Sequence, residues 1–141
     1  MQSFKWTKAH AVHLPQVDAE HRNLYRMAEE LQQAARAGAE AARILELARA
    51  MAAAIEEHFS HEERLMKSAA CPDFEWHKSQ HDVARKRVKQ FLKDLEAGNA
   101  ESTSELLDYL ARWLKDHLAL SDRMMGAHLR NYERLSAKLA S

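Results

Sequence analysis

Four stretches of the chain carry apolar residues at alternating spacings of three and four, the pattern of a helix that buries one face. The first covers about residues 19–37, with Val17, His21, Leu24, Ala28, Leu31 and Ala35 on its inward seam. Asp18 is placed to cap its start and Gly38 to end it. The second runs over about 40–67, with the seam Ile44, Ala48, Met51, Ile55, His58, Glu62 and Leu65. Pro72 breaks the chain before the third, about 74–97, whose seam is Phe74, His77, His81, Ala84, Val88, Phe91 and Leu95. Gly98 and Asn99 close it. The fourth covers about 102–125, with Ser102 and Glu105 in capping-box spacing and the seam Thr103, Leu106, Leu110, Trp113, His117, Leu120 and Met124. Beyond Gly126 the stripe moves to Leu129, Tyr132, Leu135 and Leu139, which predicts a kink and a short further helix.

Four helices of similar length with short connections predict an all-α, up-down-up-down four-helix bundle. Residues 1–17 read as an irregular N-terminal arm, anchored by Phe4 and Trp6 and turned at Pro15. One domain is expected over 1–141, made of this arm, a bundle over 18–125 and a C-terminal helical extension over 126–141. No strand, tandem repeat, low-complexity segment or interdomain linker is evident.

The seams hold polar residues where apolar ones belong. His21 lies near the start of the first helix and His58 with Glu62 near the end of the second. His77 with His81 lies near the start of the third, and His117 toward the end of the fourth. With neighbouring helices antiparallel, all of these come to one end of the bundle, and the other end stays apolar. Burying imidazoles and a carboxylate is costly unless they are paired or bind a metal. Residues four apart share a helix face, so His77 and His81 can grip one ion together, as can His58 and Glu62. Five imidazoles and a carboxylate exceed what one tetrahedral zinc takes. They suit two metals, and mixed imidazole and carboxylate ligation is compatible with iron.

Asp122 is less obvious. It stands five residues after His117, about 140° around an ideal helix, so periodicity alone does not select it. A π-type turn, or the end of the helix there, would bring it to the same face.

Composition narrows the function. The chain has 141 residues, 46% of them hydrophobic, with only three Gly and two Pro, which is a folded, helix-forming composition. Lys+Arg and Asp+Glu number 21 each, which argues against nucleic acid or a polybasic membrane surface as partner. Cys71 is the single cysteine, which excludes an internal disulfide, multi-cysteine zinc and a CxxCH haem attachment. No signal peptide or membrane span is apparent, so the expected location is cytoplasmic. No Glu-x-x-His pair occurs, which disfavours the ferritin-like carboxylate enzymes. His61-Glu62 lacks the second histidine of a zinc metalloprotease motif.

With these residues assembled, the chain resembles the hemerythrin family, specifically its bacterial single-domain members, over roughly Trp6 to Met125. The resemblance rests on VDAEHRNLY (Asp18, His21), HFSHEERLM (His58, Glu62), HKSQH (His77, His81) and WLKDHLALSDRMM (His117, Asp122), in order on four helices. It implies a di-iron centre with one iron held by His77, His81 and His117 and the other by His21 and His58. Glu62 and Asp122 would bridge them together with an oxo or hydroxo group. The second iron would be five-coordinate, and O2 would bind there reversibly. By position, Leu24, Phe59, Trp113, Leu114 and Leu118 are expected to form an apolar O2 pocket, Phe59 and Trp113 being core residues first.

The chain departs from the commoner family pattern at Glu20, where glutamine is frequent, and at Cys71. Glu20 could alter the hydrogen bonding around the ligands. His61 and Glu63 are expected at the surface, Cys71 exposed and unreactive, and His10, His13 and His128 outside the function. The resulting expectation is an O2-binding protein for storage, delivery or sensing, with no catalytic residues of its own. Nitric oxide, azide and peroxide are further candidate ligands, and delivery or signalling would need a separate protein partner. The alternatives are a di-iron peroxidase or oxidase, a nitric-oxide scavenger, or iron storage.

Overall fold

The computed structural model describes residues 4–140, and among them there is no strand. The arm carries a single turn of tight helix, Lys8–His10. Five α-helices follow: α1 (Pro15–Arg36), α2 (Ala41–Ser68), α3 (Phe74–Glu96), α4 (Glu101–His117) and α5 (Arg123–Ala140). A π-helical turn, Leu118–Asp122, joins α4 to α5 without a break. α1 packs on α2, α2 on α3, α3 on α4 and α4 on α1, which closes the expected bundle. Gly38 (φ +73°) and Gly98 (φ +85°) take the left-handed conformation that ends α1 and α3 at little cost.

Several local expectations are corrected. Helix α1 starts at Pro15, because proline's fixed φ suits the first helical position, and Leu14 rather than Asp18 is its N-cap. Asp18 sits in the first turn and its carboxylate accepts the backbone N–H groups of Val12 (2.8 Å) and His13 (3.1 Å), folding the arm back onto the bundle. Ser102 does not cap α4, which starts one residue earlier after Ala100; the Ser102 side chain is buried. Gly126 makes no kink, since α5 runs through it. A Cβ there would lie 2.7 Å from the Val12 carbonyl oxygen, so Gly126 lets the arm cross close to α5. Arg123 and Arg130 donate to the Ala9 and Val12 carbonyls and hold that crossing. The π turn advances the register, so Leu120 and Met124, expected on the seam, are exposed. Leu118, Ser121, Asp122 and Met125 are buried in their place. Cys71, expected to be exposed, is buried, and Ala70 before it takes a positive φ (50°).

Apolar packing falls into two clusters separated by a polar layer. The larger includes Leu24, Ala28, Leu31, Met51, Ile55, Phe59, Ala84, Phe91, Leu110, Leu114 and Leu118. The smaller joins Val12, Leu14, Val17, Met66, Ala69, Cys71, Met125 and Leu129, with Leu65 and Phe74 against it. Each helix crosses from one to the other through its polar seam residues: Leu24 to Val17 past His21, Phe59 to Met66 past Glu62, and Leu118 to Met125 past Asp122. The arm and α5 thus close over the end of the bundle that holds the polar layer.

Candidate metal centre

His21, His58, Glu62, His77, His81, His117 and Asp122 are all buried, and Glu62 and Asp122 are inaccessible to solvent. They form two overlapping groups. One joins His77, His81 and His117 to Glu62 and Asp122, and the other joins His21 and His58 to the same two carboxylates. Within each group the candidate ligand atoms lie within 4.8 Å of one another. Each carboxylate faces both ways. Glu62 Oε1 lies 3.1 Å from His81 Nε2 and 3.7 Å from His77 Nε2, while Oε2 lies 3.3 Å from His58 Nε2 and 3.5 Å from His21 Nε2. Asp122 Oδ1 lies 2.9 Å from both His77 Nε2 and His117 Nε2, and Oδ2 lies 3.0 Å from His21 Nε2.

These close approaches are not hydrogen bonds. Both oxygens of Glu62, both of Asp122 and the Nε2 atoms of His77, His81 and His117 have no partner of acceptable geometry, although all are buried. An orphaned buried polar atom is costly, and seven in one layer fit a site whose lone pairs face cations. The residues therefore fit a pair of metal ions bridged by two carboxylates, and the donor set of imidazole nitrogen and carboxylate oxygen suits iron.

Hydrogen bonds at the far ring nitrogens orient the imidazoles. His58 Nδ1 donates to Glu20 Oε1 (2.6 Å), and His81 Nδ1 donates to Glu63 Oε2 (2.9 Å). An ionised carboxylate can only accept, so in each ring the proton sits on Nδ1 and Nε2 faces the site. The two outer carboxylates are anchored differently. Glu63 pairs with Arg85 (2.9 Å), which also bonds Glu56 and Asp82. The second oxygen of Glu20 accepts from His61 Nδ1 (2.6 Å). His61 and Glu63, expected as plain surface residues, are thus tied through hydrogen bonds to His58 and His81 of the buried layer. Their spacing carries no sign of this, because period alone does not reveal a partner across the bundle.

Burial pushes His21, His58 and His77 down in pKa, yet the carboxylates outweigh it. His58, facing Glu62, Glu20 and Asp122, is raised to about 10, and His77, facing Asp122 and Glu62, to about 9. His21 is raised as well, by Asp122 and Glu62. Conversely burial raises Glu62 and Asp122, but the surrounding imidazoles win and hold both well below the usual carboxylate range. The layer selects positive charge between the carboxylates.

The expected apolar residues lie on one side of this layer. Leu24, Phe59, Leu114 and Leu118 belong to the larger core cluster, and Trp113, only partly buried, packs against it. Phe59 stacks on His81 (centroids 4.0 Å apart, planes 7° apart) and Trp113 on His117 (4.7 Å, 15°). Those two rings therefore brace the three-histidine group. Outside the site, His10 stacks on Tyr25 (5.3 Å) and His128 Nε2 lies 3.1 Å from the Ala69 carbonyl oxygen, both structural positions.

Residues 12–129 match the family model of the hemerythrin HHE cation binding domain. The chain belongs to the hemerythrin family. A bacteriohemerythrin of Clostridium acetobutylicum is 27% identical over 124 residues, covering 85% of this chain and 96% of the relative. A bacteriohemerythrin of Stenotrophomonas maltophilia is 36% identical over 81 residues, 55% of this chain and 52% of the relative. A myohemerythrin of Theromyzon tessulatum is 24% identical over 121 residues, 86% and 89% of the two chains. The crystal structure of a wild-type hemerythrin superposes with a TM-score of 0.77 at 25% identity, covering 89% of this chain and 96% of the other. Non-haem di-iron O2 binding is the general character of the hemerythrin family, and the buried His/Glu/Asp layer of this chain is able to hold metal. Among the described residues no helix is long and apolar enough to cross a membrane.

Proposed function

We propose that this protein binds O2 reversibly at a di-iron centre and serves in storage, delivery or sensing of O2 in the cytoplasm. His77, His81 and His117 would hold one iron, His21 and His58 the other, with Glu62 and Asp122 bridging. The observation that carries the reading is the asymmetry of the two groups. Both share the same two carboxylates, but one has three imidazoles and the other two. A pair of irons held by these residues would supply the electrons for reversible O2 binding, and the group with two imidazoles has one histidine fewer than the other.

The chain's own residues do the rest. Glu20 and Glu63 fix the His58 and His81 tautomers so that Nε2 faces the site. The apolar residues Leu24, Phe59, Leu114 and Leu118, all buried, border the layer and exclude water, with Trp113 at the edge. Exclusion of water strengthens the electrostatic interactions inside the layer and limits side reactions with solvent. Histidine-rich ligation without an added carboxylate on either ion supports carriage over oxygen activation. Nitric oxide, azide and peroxide are small enough to compete for the same position.

The test is optical. The iron-loaded protein is reduced without air, exposed to O2, and then stripped of O2. An absorption band that appears with O2 and disappears on its removal is the expected result. Direct conversion to a stable oxidised spectrum would overturn reversible binding and favour a redox role such as peroxidase, oxidase or nitric-oxide chemistry.

A further inference from the structure

The two outer carboxylates suggest unequal control of the two metal positions. On the three-histidine side, Glu63 is locked by Arg85, a side chain held by three carboxylates and lying over the Phe59 ring at 5.2 Å. On the two-histidine side, Glu20 is one-third exposed and no Lys or Arg forms an ion pair with it among the described residues. Its second oxygen is held instead by His61 Nδ1 at 2.6 Å. Glu20, His58 and His61 line one cleft of about 460 Å³ between α1 and α2, together with Asn23, Glu57 and Arg64. A partly exposed glutamate on a flexible stem loses its geometry to water unless a second bond fixes it.

We propose that His61 is a positioning residue for the two-histidine metal position, acting through Glu20 on His58. By donating to Oε2, His61 keeps Oε1 aligned on His58 Nδ1. That bond fixes the His58 ring orientation and raises the basicity of its Nε2. His61 itself touches neither metal position. The inference rests on the assignment of His21 and His58 to one metal ion, but it does not require that the ion bind O2.

The test measures metal binding rather than oxygen. Metal-free protein is titrated anaerobically with Fe(II) against a competing chelator, in the parent, His61→Leu and His61→Asn. The amide nitrogen of Asn can stand near the place of His Nδ1 and keep a donor toward Glu20, whereas Leu removes it. His61→Leu is expected to weaken the weaker of the two sites by about tenfold and leave the tighter one unchanged, with His61→Asn within about threefold of the parent. In the Fe(II)-loaded protein, the exchangeable Nδ1 proton of His58 should give a paramagnetically shifted NMR signal, which exchanges faster with solvent in His61→Leu. Equal weakening of both sites, equal loss in Leu and Asn, or no change in either readout would overturn the proposal. Failure of reversible O2 binding, by contrast, would leave these metal affinities where they are.

Discussion

The carboxylate of Asp122 lies 2.9 Å from His117 Nε2, although five residues separate the two along the chain. In an α-helix this spacing would point them about 140° apart. The π turn Leu118–Asp122 overcomes that by placing residues five apart on one face. Asp122 also reaches His77 and His21, so one side chain contacts both histidine groups.

Removing its charge should therefore cost more than one contact. Asp122→Asn keeps the shape but loses the anion that faces three imidazoles. We expect iron bound per chain after chelator challenge to fall from two to one or fewer, while far-UV circular dichroism stays that of the parent. Retention of two tightly held irons would show that Asp122 is dispensable as a bridge.

Much of the centre was legible before the fold was known, because seam position and antiparallel order are both written in spacing. His21, His58, Glu62, His77, His81 and His117 fall on helical periods, and each is buried in one layer. Asp122 needed either a π turn or a family resemblance, since a π turn leaves no periodic mark except a shifted stripe. That shift is visible beyond Gly126 and fits a π-type turn or a helix end, and the register change itself lies in Leu118–Asp122. The roles of Glu20, His61, Glu63 and Arg85 were hidden for a different reason. They act across helix pairs, and the angular position of a partly buried residue at the edge of a seam says nothing about the side chain opposite. Asp18 looked like a cap because it stands at the head of the apolar pattern, but Pro15 nucleates the helix earlier and frees Asp18 to bind the arm.

The arm crossing gives a stability prediction. Gly126→Ala would ordinarily strengthen a helix interior by about 1 kcal/mol. Here the new Cβ would meet the Val12 carbonyl oxygen at 2.7 Å and Val12 Cβ at 3.0 Å, and a backbone oxygen cannot swing aside. The overpacking cost of about 1–3 kcal/mol should dominate, so thermal unfolding of the variant is expected at lower temperature. A higher melting temperature would mean that the arm yields easily.

The opposite sign is expected at Ala70. It follows α2 with φ 50°, a left-handed conformation that a Cβ disfavours by about 1–2 kcal/mol. Ala70→Gly removes that strain and loses some ground to the greater freedom of glycine in the unfolded chain. A net stabilisation of about 0.5–1 kcal/mol should appear as a higher denaturant midpoint with unchanged slope. A lower midpoint would show that Ala70 gains more from packing than it loses in strain.

Protons and metal compete for the same layer, and the direction of each shift fixes the pH response. In the metal-free protein His58 is raised to about 10 and His77 to about 9, so both hold an extra proton at pH 7.5. Metal needs the neutral ring, so loading must expel those protons. Isothermal titration at pH 7.5 in buffers of different ionisation enthalpy should therefore report net proton release, and apparent affinity should rise with pH until about 9–10. The metal-free fold responds with two opposite signs. Raised histidines stabilise it fully below their ordinary value of 6.5, and that contribution is lost as pH climbs through about 9 and 10. Lowered carboxylates, Glu62 and Asp122, stabilise it above their ordinary values of 4.5 and 3.8, and that contribution is lost as pH falls through their depressed folded values. Melting temperature of the metal-free protein should thus be highest between about pH 5 and 6.5, decline as pH climbs from there through about 9 and 10, and decline again in acid. In the loaded protein the alkaline decline should vanish, because the charge between Glu62 and Asp122 is then the metal's and does not titrate. An alkaline decline of equal size in both forms would locate it outside this layer.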